Sequence, residues 1–199
     1  MEYVEEIFYR KVNPSDFKKM YDIDKPKTGG GQTYLEAAGV DTDKLIEFLS
    51  YGEISDSPLV NEERKIYTIN AYVLGKSGKN TEIAQLEFAP RGGRNNYRIS
   101  RQTNAMKHPA WKPENGFPQP KKDANGNYLN TFEGIIDYLC IFIIRTSYKK
   151  YYASFTNTEN IPSGWPLNIG LESLFQENRN GILKFPAEGV SFINDNLIP

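Results

Sequence analysis

Short blocks of alternating polar and apolar residues recur along the chain, and most read as strands. "EEIFYRKV", from Glu5 to Val12, alternates charged and apolar positions, the period-two signature of a strand with one buried face. Asn13-Pro14-Ser15-Asp16 interrupts it, and the polar segment beyond runs to the glycines of "KTGGG". "QTYLEAA" resumes as a strand. In "VDTDKLIEFL", Asp41 or Thr42 is an N-cap, and Leu45, Ile46, Phe48 and Leu49 form one apolar stripe, which predicts a short helix. "KIYTINAYVL" and "TEIAQLEFA" flank "GKSGKN", a hairpin signal, and "NYRIS" is a further short strand. Gln102 to Asn130 carries Pro, Gly and Asn throughout and reads as an extended loop. "DYLCIFIIRT" and "KYYASFT" flank "SYK" as a second hairpin. Ile141, Phe142 and Ile143 are expected in its wall, with at least one alternating set buried. After Asn157 the pattern weakens. "GLESLF" and "GVSFINDNL" are expected as short helices with "GILKF" between them. Six or seven short strands and one clear helix predict a mostly β barrel or sandwich.

Composition supports a packed β domain. The chain has 199 residues and 39% hydrophobic content, with 13 Tyr and 11 Phe to supply buried area. No apolar run reaches the roughly 20 residues of a membrane-spanning helix, and the acidic N-terminus lacks a signal-peptide pattern. The single cysteine, Cys140, excludes an internal disulfide, and a cytoplasmic protein is expected.

Charge changes the picture more. The net charge is −1, yet Ala89 to Lys122 holds four Arg and four Lys against one acid, Glu114. Phe8 to Thr28 holds six Lys or Arg against three Asp, which leaves a net of about −11 on the rest of the chain. Two basic islands on an acidic body form the footprint of a polyanion-binding face. Ordinary solvated loops are the bland alternative.

Catalytic chemistry is sparse. The one histidine, His108, cannot build a His-based metal cluster, and within "KHPAW" in the basic loop it reads as a phosphate contact or a plain surface position rather than as a catalytic base. "GGGQTYL" lacks the Lys-Ser/Thr that completes a P-loop. "QLEFAPR", with Glu87, comes nearest to a metal-dependent nuclease strand, but its next polar position is wrong. No catalytic residue, metal ligand or cofactor is expected.

"RGGRNNYRISR" concentrates the candidate chemistry. A turn at Gly92-Gly93 followed by a strand from Asn96 places Arg94 and Asn95 at a loop tip, with Arg98 and Ser100 on one strand face and Tyr97 and Ile99 on the other. Guanidinium groups read guanine or clamp phosphate, and Asn side chains read adenine. Arg94, Asn96 and Arg98 are the expected sequence readers; Arg91 and Arg101 are expected on phosphate. Gln102 and Asn104 extend this polar set, and Lys107 and Lys112 suit backbone neutralisation. The bland alternative pairs Arg98 with a structural acid such as Glu87. The first basic segment offers Arg10, Lys11, Lys18 and Lys19 as charge, with Asn13 and Ser15 as uncharged polar contacts.

"FYRKVNPSDFKK…GGGQTYLEAAGVDTDKLIEFL", followed later by "GRNNYRISRQ", a Pro-rich loop and an apolar strand pair, resembles the DNA-binding pseudobarrel family. That family includes the plant B-three domains, the effector-binding N-terminal domain of the restriction endonuclease EcoRII and the DNA-binding domains of McrB-type proteins. The resemblance covers about residues 6 to 157. It implies a seven-stranded open pseudobarrel, mostly β with short helices, gripping double-stranded DNA in the major groove between two arms. Carried over, the N-terminal arm is Arg10 to Gln32 and the C-terminal arm is Arg91 to Gln102. The implied organisation is a DNA-binding domain over 1–157, with 158–199 as an extension packed on the barrel or leading to a further domain. The implied function is target recognition in a restriction system, partnered with a fused or separate nuclease or GTPase domain and with no membrane. A complete endonuclease with an unrecognised metal site is one competing reading. A single-stranded nucleic-acid binder with aromatic stacking platforms is another.

Overall fold

The structure is a computed structural model that describes residues 1–11, 33–37, 39–74, 80–102, 122–127, 139–157 and 180–192. Among these, the alternating blocks form strands β1 (Val4–Lys11), β2 (Thr33–Glu36), β3 (Glu53–Ser55), β4 (Ile66–Leu74), β5 (Asn80–Pro90), β6 (Tyr97–Gln102), β7 (Leu139–Thr146), β8 (Tyr151–Asn157) and β9 (Asn180–Lys184). One helix, α1 (Thr42–Phe48), is capped by Asp41, whose carboxylate accepts from the amides of Asp43 and Lys44. All nine strands belong to one curled, open sheet, a half-barrel, where seven were expected. The hydrogen-bonded order is β2-β6-β5-β4-β8-β7-β1-β9, with β3 on β4. The two extra strands are β3, too short to alternate, and β9, the expected "GILKF" segment.

The curl encloses the main core. Phe8, Phe48, Ile69, Leu86, Phe88, Ile141 and Ile143 are all fully buried there. Phe8 meets Phe88 edge-on with centroids 6.0 Å apart, which brings β1 against β5 across the interior. Each such side chain contributes roughly 1.5–3 kcal/mol by leaving water. The seven residues of α1 are too few to hold a helix alone. Leu45 and Phe48, buried in the curl, anchor it, and the Tyr151 hydroxyl donates to Phe48 O at 2.7 Å.

A second cluster covers the other face of β1, β7 and β8. Ile7, Tyr9, Phe142, Ile144 and Tyr152 are buried there under Phe192, with Phe185 and Val190 packed alongside. Both faces of β7 are therefore buried, which explains its unbroken apolar run. Within 158–199, residues 180–192 join the sheet: β9 pairs antiparallel with β1, and Ser191 bridges Tyr3. The expected helix from Gly189 is not formed over Gly189–Phe192, because Val190, Ser191 and Phe192 pair in extended form with Val4, Tyr3 and Glu2 instead. The expected helix "GLESLF" and nearly all of the loop Gln102 to Asn130 lie outside the described residues.

Along β1, Glu6, Phe8 and Arg10 share the inward face. Phe8 fills its centre; the two charged residues lie at its ends, and both are buried. Glu6 sits directly between Arg145 on β7 and Lys184 on β9, and pairs with both, at 3.1 and 3.3 Å. Lys184 also holds Glu47 of α1 at 2.8 Å, and that contact lowers the Glu47 carboxyl below the usual carboxylate range.

Candidate nucleic-acid interface

The β5–β6 hairpin is closed by two backbone bonds. Arg91 N donates to Asn96 O at 3.0 Å, and Arg94 N donates to Arg91 O at 3.1 Å. The second bond closes a turn centred on Gly92 and Gly93, with φ of 72° at Gly93. A positive φ at the third position is the type II requirement, which glycine meets without steric penalty. A Cβ at Gly93 would meet nothing within 4 Å, so the demand is conformational only.

Arg64, just before β4, braces this turn from behind. Its two terminal nitrogens donate to Arg94 O at 2.8 Å and to Arg91 O at 3.1 Å. Glu62 accepts from Arg64 Nε at 2.7 Å and from a terminal nitrogen at 2.6 Å. The hydrogen bonds from Arg64 hold the Glu62 carboxyl below its ordinary range. Charge-assisted, bidentate contacts of this kind are the strong ones. Below the turn, Tyr97 is buried in the core and donates to Lys65 O at 3.1 Å; burial pushes its phenol up to about 12. Sequence reasoning missed Arg64 and Glu62, whose only local signal is the charged run "NEERK".

Glu36 on β2 joins the hairpin to β1. Its main-chain oxygen accepts from Arg10 Nε at 2.6 Å, and its carboxylate pairs with Arg91. Its register partner on β6 is Arg98. Arg10 also donates to Lys11 O at 3.1 Å. The end of β1 is thus tied, through Glu36, to the base of the hairpin.

The expected residues divide accordingly. Arg94 and Asn95 are exposed at the turn, and Arg94 has no ion-pair partner among the described residues. Asn96 is half-buried, with an enclosed carbonyl oxygen that makes no hydrogen bond among the described residues. Arg98 is half-buried and engaged, so it is not a free surface cation. Tyr97 and Ile99 face the core as expected. Arg10 departs from its expected role at the surface: only 1% exposed, its guanidinium is a fixed tie to main-chain oxygens. Lys11 is half-buried at the end of β1. Ser100, Arg101 and Gln102 belong to β6, where Gln102 pairs with Thr33. Asn13, Ser15, Lys18, Lys19, Gln32, Asn104, Lys107 and Lys112 lie outside the described residues.

Among the described residues, no group of three or more His, Cys, Asp or Glu side chains could hold a metal ion, and no helix is long and apolar enough to cross a membrane. No family model, curated protein or solved structure matches the chain. The class defined here is therefore structural: an open β half-barrel that presents a braced, arginine-rich hairpin.

Proposed function

We propose that the chain is a recognition module for double-stranded DNA, reading base edges in the major groove with the β5–β6 hairpin, as the target-recognition part of a restriction system. The observation that carries this reading is the presentation of Arg94 and Asn95. Both are exposed on a turn whose main chain is fixed by Arg64 and by the Gly93 conformation. Arginine and asparagine offer the bidentate donors and acceptors that distinguish guanine and adenine, and a fixed backbone limits the ordering cost of placing them. The link from Arg10 through Glu36 to Arg91 brings Lys11, the end of β1, to the base of the hairpin, which supports a second arm at the same site. The nuclease or GTPase partner belongs to this proposal through the family resemblance alone, and the cytoplasmic setting through the single cysteine. Single-strand binding is less well supported, because Tyr67 and Tyr97, the tyrosines that meet edge-on beneath the hairpin, are buried and offer no open ring face.

Selection from a random duplex pool tests the reading. A recovered consensus bound at least a hundredfold more tightly than random duplex is the expected result. No enrichment, or enrichment of single strands over duplex, would overturn it.

A further inference from the structure

A carboxylate stands beside the base of the arginine hairpin, and Glu36 is held there by its surroundings. Arg10 fixes its carbonyl oxygen, Ala37 N donates to Tyr97 O at 2.9 Å, and the register sets it opposite Arg98. Its carboxylate pairs with Arg91, with the two side chains 29% and 23% exposed, so both remain within reach of a ligand.

We infer that Glu36 is a specificity-determining residue, one that suppresses nonspecific phosphate binding and favours a duplex presenting an exocyclic base amine to its carboxylate. The inference rests on the DNA reading above. A phosphate that approaches Arg91 competes with Glu36 and, on displacing it, leaves two anions facing each other; such like-charge juxtaposition discriminates against a wrong partner. A base edge behaves differently. The N4 amine of cytosine donates to a carboxylate, and the N6 amine of adenine is a donor in the same groove. The carboxylate can accept from such an amine while Arg91 keeps its partner. One residue thus penalises backbone contact and tolerates a matching base. A purely structural ion pair would instead affect melting and leave the ratio of specific to nonspecific binding alone.

The experiment compares the full chain with its Glu36→Gln variant by fluorescence anisotropy at one fixed salt concentration. The two probes are random-sequence duplex and the duplex recovered by selection. Gln retains the main-chain oxygen that Arg10 holds and removes only the charge. Random-duplex affinity should rise severalfold, and the ratio of specific to random affinity should fall about tenfold. Glu36→Ala also keeps that main-chain contact and gives the same comparison should the Gln variant fail to fold. An unchanged ratio, or a random-duplex affinity that stays level or drops, overturns the assignment of Glu36. If the parent chain selects a site and the variant leaves the ratio unchanged, Glu36 alone loses its role. If the parent chain binds no duplex, the DNA reading falls and this inference with it.

Discussion

The β1–β7–β8 trio and the β5–β6 hairpin are held together by opposite means. In the trio, Ile141, Phe142, Ile143 and Ile144 are all completely buried, and successive residues feed two different hydrophobic clusters. In the hairpin, Gly92 to Asn95 are all exposed, and the shape depends on one guanidinium, one glycine conformation and two backbone bonds. Packing in the trio is non-directional and distributed over many contacts, so stability there is robust in kind but intolerant of charge. The hairpin depends on a few directional bonds. It can be altered one bond at a time without unfolding the domain.

That contrast is sharpest under substitution. Ile143→Asp places an unpaired carboxylate in the main core, a cost comparable with a domain's whole stability of about 5–15 kcal/mol. No cooperative melting transition is expected by calorimetry; a soluble variant with a normal transition would remove β7 from the core. Arg94→Ala should leave melting unchanged and weaken specific DNA binding roughly ten- to a hundredfold, while random-duplex affinity changes little. Equal losses on both probes would reduce the hairpin to a phosphate clamp. Arg64→Ala removes the brace, at about 1 kcal/mol for each of the two main-chain hydrogen bonds it makes to the turn. Hydrogen exchange should quicken at the Arg94 amide and stay unchanged in β7. Equal changes in both places would mean that hairpin and trio open together.

Acid should separate the two regions as well. The Glu62 carboxyl is lowered in the folded protein by Arg64, so its stabilising contribution is complete above the ordinary glutamate value and is lost as pH falls through the lowered folded value. Protection of the Arg94 amide should therefore decline before that of β7 once the pH falls below the ordinary glutamate value, as read by exchange protection factors. The smallest expected effect is electrostatic. Lys11→Ala should flatten the dependence of log K on log salt by about one unit at most. An unchanged slope would take Lys11 out of the phosphate contacts.

Strands with a buried alternating face were legible in the chain because their signal is local. β1, β4, β5, β7 and β8 follow their patterned blocks closely, and Asp41 caps the helix as its side chain suggests. β3 was not legible: Glu53, Ile54 and Ser55 are all exposed, so no apolar face announced it. β9 was obscured because its partner lies at the far end of the sequence. Gly181 stacks so closely on the Tyr9 ring that a Cβ there would come within 2.6 Å of the ring carbon bearing the hydroxyl. In the candidate site, the turn at Gly92-Gly93 and the inward Tyr97 and Ile99 were readable from residue type. The Arg64 brace and the Glu36 pair were not, since both connect residues about 30 or more positions away from their partners. Arg10 carried a usable signal: two residues beyond Phe8 on a strand, it had to share the inward face.

The placement of β1 has a consequence for biosynthesis. β1 hydrogen-bonds to β7 on one side and β9 on the other, strands that begin at Leu139 and Asn180. On the ribosome it is the first of these strands to emerge, and both neighbours emerge much later. At rates of about 5–20 residues per second, its two edges stay open for many seconds. Open strand edges with apolar residues on both faces recruit other chains, so this interval is where aggregation competes with folding. Translation stalled before Asn180 would leave β1 with one bare edge and the outer cluster without Phe192. Co-translational chaperone capture, in consequence, should centre on β1 and end once 180–192 has emerged.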